Sequence, residues 1–260
     1  MLRSSAHLLV VLALLIQPAS SGAEPQPAPQ VLRLAVAANF TVAVGPIARQ
    51  YEKSSGQRVE VVSGSTGKLA AQIRSGAPFD VFLAADTEAP HQLAKDGLVE
   101  KPFTYAIGTL VLWSKKPGYV DAQGDVLKSG SFRHLALANP QLAPYGRAAQ
   151  QLLEHRKLWA TLEPSIVLGE NVAQAFQFVE TESAELGFVA LSQLLDPEHP
   201  AGGSRWLVPA GEYEAIQQGT AVVARTPQPK AARAFARLLA APGTCRSLES
   251  FGYRCPQPAP

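Results

Sequence analysis

Apolar and polar positions along the chain switch repeatedly between a period of two and a period near 3.6. Residues 31–37 alternate and then become wholly small and apolar, as a strand entering a covered parallel sheet does. Val44, Ile47, Ala48 and Tyr51 then recur at helical spacing within 42–54. The plan repeats: 58–62 alternates, 63–67 is a Gly/Ser/Thr turn, and 68–74 opens a helix. After the breaker at 76–78, residues 80–85 predict a third buried strand, and 88–95 a helix that stops at Gly97. Three strand-helix units in succession predict a parallel α/β sheet rather than a sandwich.

Residues 105–113 read as one long strand containing Gly108. A second set of units follows, with strands at 135–138, 166–168 and 186–190, a loop at 139–146, and helices at 147–155 and 172–180. A loop at 197–203, a strand at 218–224 and a helix at 229–240 complete the pattern. On that last helix Ala231, Ala234, Phe235, Leu238 and Leu239 share one face. The second half resembles the first in plan, with no residue-by-residue repeat. Two such α/β halves predict two lobes of mixed, mostly parallel sheet flanked by helices, with a ligand cleft between them. In open α/β sheets ligands sit beyond the carboxyl ends of strands, where helices begin.

The first residues read differently. Arg3 precedes nine apolar residues, 8–16, and a small-residue region up to Ala23. Nine are too few for the ~20 that span a bilayer, so 1–23 predicts a secretory signal peptide cleaved near Ala23 rather than a membrane anchor. Residues 24–30 form a proline-rich spacer that suits neither a helix nor an interior strand. The mature product is therefore expected to be soluble in an exported compartment. There Cys245 and Cys255 favour a short-range disulfide over two free buried thiols, pinning the C-terminal helix to the tail.

Composition narrows the function. Hydrophobic residues make up 47% of the 260 and charged residues 17%, which supports a sizeable core and excludes disorder throughout. The net charge of +2 supplies no concentrated field for nucleic acid, so any bound anion must be held mostly by oriented dipoles. Helix N-termini offer unpaired N–H groups and partial positive charge for that purpose. Asn39, Ser65 and Thr66 stand at such places, where ordinary N-capping is the competing role. Lys68 follows Gly67, yet Val62 and Leu69 break the phosphate-loop pattern, and Lys68 reads as a solvated helix residue adding diffuse potential. Five scattered histidines give no metal-ligand spacing, and no Gly-x-Ser-x-Gly elbow occurs. Asp80 and Asp86 flank a strand instead of facing each other, and Asp80 reads as a structural cap or pair.

Ala-Ala-Asn-Phe at 37–40, the run from Gly64 to Ile73, the run from Gly76 to Asp86, and Leu-Gly-Phe-Val-Ala at 186–190 resemble the periplasmic molybdate-binding proteins of ABC transporters. The resemblance runs in order from Leu32 to Tyr253, and 64–86 is its most specific part. It implies a type II periplasmic binding protein, with lobe I at 31–105 and 213–260 and lobe II at 106–212. It implies oxyanion contacts from Asn39 and from Thr66 with Ser65 in the first lobe. In the second lobe they come from the Pro-x-Gly turn at Tyr145 and the helix start at Asn171 and Val172. The implied ligand is molybdate or tungstate, bound as an oxyanion with no direct protein-to-metal ligand, no cofactor and no catalysis. The implied partner is a membrane permease, and the protein is expected to act as a monomer without nucleic acid. Some members carry tyrosine where Ala190 stands here, so a hydroxyl is missing that Tyr145 or Asn39 would have to replace. Two other functions remain open: an exported α/β enzyme acting on a phosphorylated or sulfated small molecule, and a receptor for another oxyanion such as sulfate. Displaced pKa values among clustered ionisable cleft residues would favour the enzyme, whereas amides, hydroxyls and backbone N–H groups would favour a receptor.

Overall fold

The computed structural model describes residues 31–256. The signal peptide and spacer expected at 1–23 and 24–30 lie outside the described residues. In chain order the strands are β1 (Leu32–Ala37), β2 (Val59–Gly64), β3 (Val81–Leu83), β4 (Phe103–Gly108), β5 (Leu110–Ser114), β6 (Leu135–Ala138), β7 (Ile166–Gly169), β8 (Leu186–Ala190), β9 (Ser204–Leu207) and β10 (Ile216–Val222). The helices are α1 (Thr41–Ser55), α2 (Thr66–Arg74), α3 (Glu88–Lys95), α4 (Val126–Ser129), α5 (Pro144–His155), α6 (Trp159–Leu162), α7 (Val172–Glu180), α8 (Leu191–Leu194), α9 (Pro229–Ala240) and α10 (Pro242–Glu249).

These strands build two five-stranded mixed sheets, one in each of two α/β lobes. The first has the order β2-β1-β3-β10-β4 and the second β7-β6-β8-β5-β9. In each, a central strand pairs in parallel with both neighbours: β1 with β2 and β3, β6 with β7 and β8. The remaining strands join antiparallel, β10 to β3 and β4, and β5 to β8 and β9. Because β10 returns to the first sheet after the whole second sheet has formed, the lobes are interleaved along the chain.

Alternation along β1 explains the packing of the first lobe. Leu32, Leu34 and Val36 face Phe40 from the turn before α1 and Ile47, Phe235 and Leu248 from α1, α9 and α10. Ala35 and Phe82 face Leu69, Ile73 and Leu93 from α2 and α3 on the opposite side. In the second lobe α5 covers one face with Leu152 and Leu153, while Ala175 and Val179 of α7 cover the other beside Trp113. Burying each large aliphatic side chain contributes about 1.5–3 kcal/mol, which fixes the faces and hence the direction in which every helix points.

The structure differs from the sequence pattern in four places. The long strand expected at 105–113 is two strands in different sheets. Thr109 separates them, and its carbonyl accepts from the Leu191 N–H at 3.0 Å while its hydroxyl donates to the Gly252 carbonyl at 3.2 Å. Helix α5 begins at Pro144 rather than 147, because proline presets the backbone angle of a first helical turn. The residues that read as the end of a loop are therefore the helix start. On α9 the buried face is Ala232, Phe235, Ala236 and Leu239, with Ala231, Ala234 and Leu238 only half-buried. Strand β9 and helix α10, absent from the sequence pattern, form at a sheet edge and beside the tail. Asp80 is structural: it accepts from the Arg33 N–H at 2.7 Å and from the Thr226 hydroxyl.

Cys245 on α10 is bonded to Cys255, with Cα atoms 5.6 Å apart, so the bridge does tie the last helix to the tail. Closing a loop of this length is worth about 2–3 kcal/mol in the chain-entropy account. Cys245→Ser with Cys255→Ser is therefore expected to lower the melting temperature by about 5–10 °C, read by calorimetry under non-reducing conditions. Gly108 closes β4 where a Cβ would lie 2.2 Å from the Tyr145 hydroxyl and 3.0 Å from Gln218 Nε2. Gly108→Ala is expected to lower the melting temperature by about 2–10 °C, since both neighbours are buried and overpacking costs about 1–3 kcal/mol.

Candidate functional site

Parallel strands β1, β2, β6 and β7 end at the boundary between the lobes, so the helices that follow begin there. Four chain segments meet around one small cavity. From the first lobe come the turn Ala38–Phe40 leading into α1, and Gly64, Ser65 and Thr66 at the start of α2. From the second lobe come Ala143, Pro144 and Tyr145 at the start of α5, and Asn171 and Val172 at the start of α7. The cavity is small and narrow, which excludes a drug-sized organic molecule.

All six residues expected from the sequence line this cavity: Asn39, Ser65, Thr66, Tyr145, Asn171 and Val172. Their side chains have different tasks. The Ser65 Oγ is buried without a hydrogen-bond partner among the described residues. Thr66 Oγ1 accepts from the Ala85 N–H at 2.9 Å and keeps its own proton to donate. Asn171 is an N-cap, its Oδ1 accepting from the N–H groups of Ala173 and Gln174 at 3.0 and 3.1 Å. The capping role wins for its side chain.

Asn39 and Tyr145 turn their polar side chains toward the hinge between the lobes. Asn39 Nδ2 donates to Gln218 Oε1 at 2.8 Å and to the Tyr253 hydroxyl at 3.0 Å, so both of its protons have acceptors. The Tyr145 hydroxyl lies against Gly108. Burial pushes its pKa well above the ordinary tyrosine value, Tyr253, Tyr213 and Tyr105 add to the rise, and the Asn39 amide opposes it. Tyr145 is therefore neutral at physiological pH. Asn39 lies in the short turn before α1 and Tyr145 in the first turn of α5, where main-chain N–H groups lack an intrahelical acceptor. Ala190 itself offers no hydroxyl. Ala190 instead donates its N–H to Gln193 Oε1 at 2.9 Å, and Gln193 Nε2 donates to the Val172 carbonyl at 3.2 Å, bracing the start of α7.

Among the described residues that line the cavity, none carries a carboxylate or a fixed positive charge. Charges stand at its rim in pairs that bridge the lobes. Lys68 Nζ is 2.6 Å from Glu170 Oε2, and Arg147 is 2.7 Å from Asp86 and 3.9 Å from Glu88. Lys68 is therefore no source of diffuse potential, because a partner from the other lobe neutralises it. The Gly67 N–H also crosses between lobes, donating to the Leu142 carbonyl at 3.0 Å.

Sequence reasoning missed the residues that hold the lining in place. Gln218, Tyr253, Ser192 and Gln193 are all buried and hydrogen-bonded around Asn39 or Val172. Gln218 gave the one readable signal, a polar residue opening an otherwise small and apolar strand. Tyr253 comes near through the return of the tail to the first lobe, and Ser192 and Gln193 through the packing of α8 of the second lobe against Asn39 and the start of α7.

The family model described as "Bacterial extracellular solute-binding protein" matches residues 32–254. Molybdate-binding protein ModA of Azotobacter vinelandii is 47% identical over 224 residues, covering 85% of this chain and 89% of that protein. Molybdate-binding protein ModA of Rhodobacter capsulatus is 37% identical over 254 residues, covering 97% and 96%. The solved structure of the Azotobacter vinelandii periplasmic molybdate-binding protein superposes with a TM-score of 0.84 at 40% identity, covering 87% of this chain and all of that one. With two α/β lobes meeting over a donor-lined cavity and a match across nearly all described residues, the chain belongs to the bacterial extracellular solute-binding protein family.

Proposed function

We propose that this protein captures molybdate, or tungstate, in the interlobe cavity and delivers it from the periplasm to an ABC transporter permease. The observation that carries the proposal is the convergence of helix starts on a carboxylate-free space beside the unpartnered Ser65 hydroxyl. Such a space offers hydrogen-bond donors and positive dipole ends from both lobes. A fully deprotonated dianion such as molybdate is matched by donors alone. Monoprotonated phosphate would need an acceptor for its proton, which this lining of amides, hydroxyls and apolar groups does not evidently supply. The names of the relatives support molybdate over sulfate, which needs the same donors in a smaller cage.

We assign the anion contacts to backbone N–H groups of Asn39, Tyr145 and Val172, to the N-terminal turn of α2, and to the hydroxyls of Ser65 and Thr66. Asn171 caps the helix that presents Val172. Capture works by differential satisfaction: each lobe alone supplies only part of the donors, so the anion favours the conformation in which both sets face it. A permease can recognise that conformation. The lobe division we propose, 31–105 with 213–260 against 106–212, follows the sheets except that β4 carries first-lobe pairing to Gly108. We further propose that the protein is exported after cleavage near Ala23, acts as a monomer and performs no catalysis. The cavity lining supports that last point, since it holds no pair of titratable groups to share acid and base roles.

Calorimetry and thermal melting against an oxyanion panel test the assignment. Molybdate and tungstate at a hundred times the dissociation constant should add about 2.7 kcal/mol, or about 5–10 °C of melting temperature. Heat and stabilisation with sulfate alone would overturn it. Ser65→Ala should weaken molybdate binding about 10–100-fold while leaving the ligand-free melting temperature unchanged, because its hydroxyl bonds to nothing else described. Equal affinity in this variant would move the contact to other donors.

A further inference from the structure

The Asn39 carbonyl lies at the junction of the Ala38–Phe40 turn and α1, and it accepts two hydroxyl hydrogen bonds. One comes from Tyr253 in the C-terminal tail of the first lobe, at 2.8 Å. The other comes from Ser192 on α8 of the second lobe, also at 2.8 Å. The two hydroxyls are themselves 3.2 Å apart. The Asn39 amide closes the group by donating to Tyr253 and Gln218. Asn39, Ser192, Gln218 and Tyr253 are each at most 3% exposed.

This group differs from the other polar bridges between the lobes. Lys68–Glu170 joins side chains that are nearly half exposed, and Arg147 in the Asp86 bridge is 41% exposed; such pairs are worth little in water. The bond from Ser192 to the Asn39 carbonyl is fully buried, so when the lobes part both of its ends must find water instead. It also ends on the residue whose N–H is offered to the anion.

We propose that Ser192 is a positioning residue for oxyanion capture. It touches no ligand, yet by bonding the Asn39 carbonyl only when the lobes meet it sets how long the closed form persists. The role rests on the oxyanion reading of the cavity. Tyr253 and Gln218, both on the first lobe, hold Asn39 in the same place whether or not the lobes meet. Ser192 is the member of the group that adds a bond on closure, and its loss should appear in release and not in association.

Stopped-flow binding of molybdate to the mature chain separates these effects, with melting of the ligand-free protein as the folding control. For Ser192→Ala the expected result is release about tenfold faster, association within about twofold of wild type, and an unchanged ligand-free melting temperature. Ser192→Thr, which restores the hydroxyl, should return release toward the wild-type rate. Release by Ser192→Ala at the wild-type rate overturns the positioning role. A fall in its ligand-free melting temperature that accounts for the lost affinity also overturns it, making Ser192 merely structural. Wild-type protein that takes up no molybdate overturns the reading of the cavity and this role together, whereas wild-type uptake with unchanged release by the variant overturns this role alone.

Discussion

Unpaired main-chain donors are costly to bury, and the rest of this molecule is arranged around a place where several of them face one another. A helix leaves its first N–H groups without acceptors, and water or a capping side chain ordinarily satisfies them. Here the starts of α2, α5 and α7, with the turn before α1, point into a space too small for much water. Asn171 caps one of them, and the buried Ser65 hydroxyl, with no partner among the described residues, has a proton left to donate. The deficit is of negative charge and hydrogen-bond acceptors. A compact dianion removes it in one step, which is why a protein of net charge +2 can bind one without a lysine or arginine in the cavity lining.

The topology makes that deficit depend on lobe position. Both lobes contribute helix starts to the lining, and the chain passes between the sheets at Thr109 and again between β9 and β10. Both passages run beside Asn39: Gly108 meets the Tyr145 hydroxyl, and Gln218 of β10 accepts from the Asn39 amide. The side chains of Asn39 and Tyr145 are thus committed to contacts beside these passages, although both residues line the cavity. One residue can then respond to anion and lobe position together.

Much of this was legible in the sequence because it depends on local pattern. The bounds of α3, α7, α9, β6 and β8 follow from periodicity and from their Gly, Pro and Asn boundaries, and the two-lobed plan follows from the repeated strand-helix units. The six lining residues were found because each lies at a strand-to-helix junction, where residue type and position coincide, and because the family resemblance marked them. What was not legible depends on distant partners. The break at Thr109 is set by Leu191 and Gly252, the direction of the Asn39 amide by Gln218 and Tyr253, and the pairing of Lys68 by Glu170. None of these neighbours is near in sequence. The short strand β9 and the helix α10 carry too little periodicity to stand out, and they form because an edge strand and the disulfide-tied tail give them something to pack on.

The central claim is that an oxyanion is held by donors from both lobes with no carboxylate in contact. A crystal structure of the protein grown with tungstate, located by its anomalous scattering, tests this most directly. One strong peak is expected within hydrogen-bonding distance, through the tungstate oxygens, of Ser65, Tyr145 and Val172. A peak confined to one lobe, or one with Asp86 or Glu170 among its contacts, would contradict it.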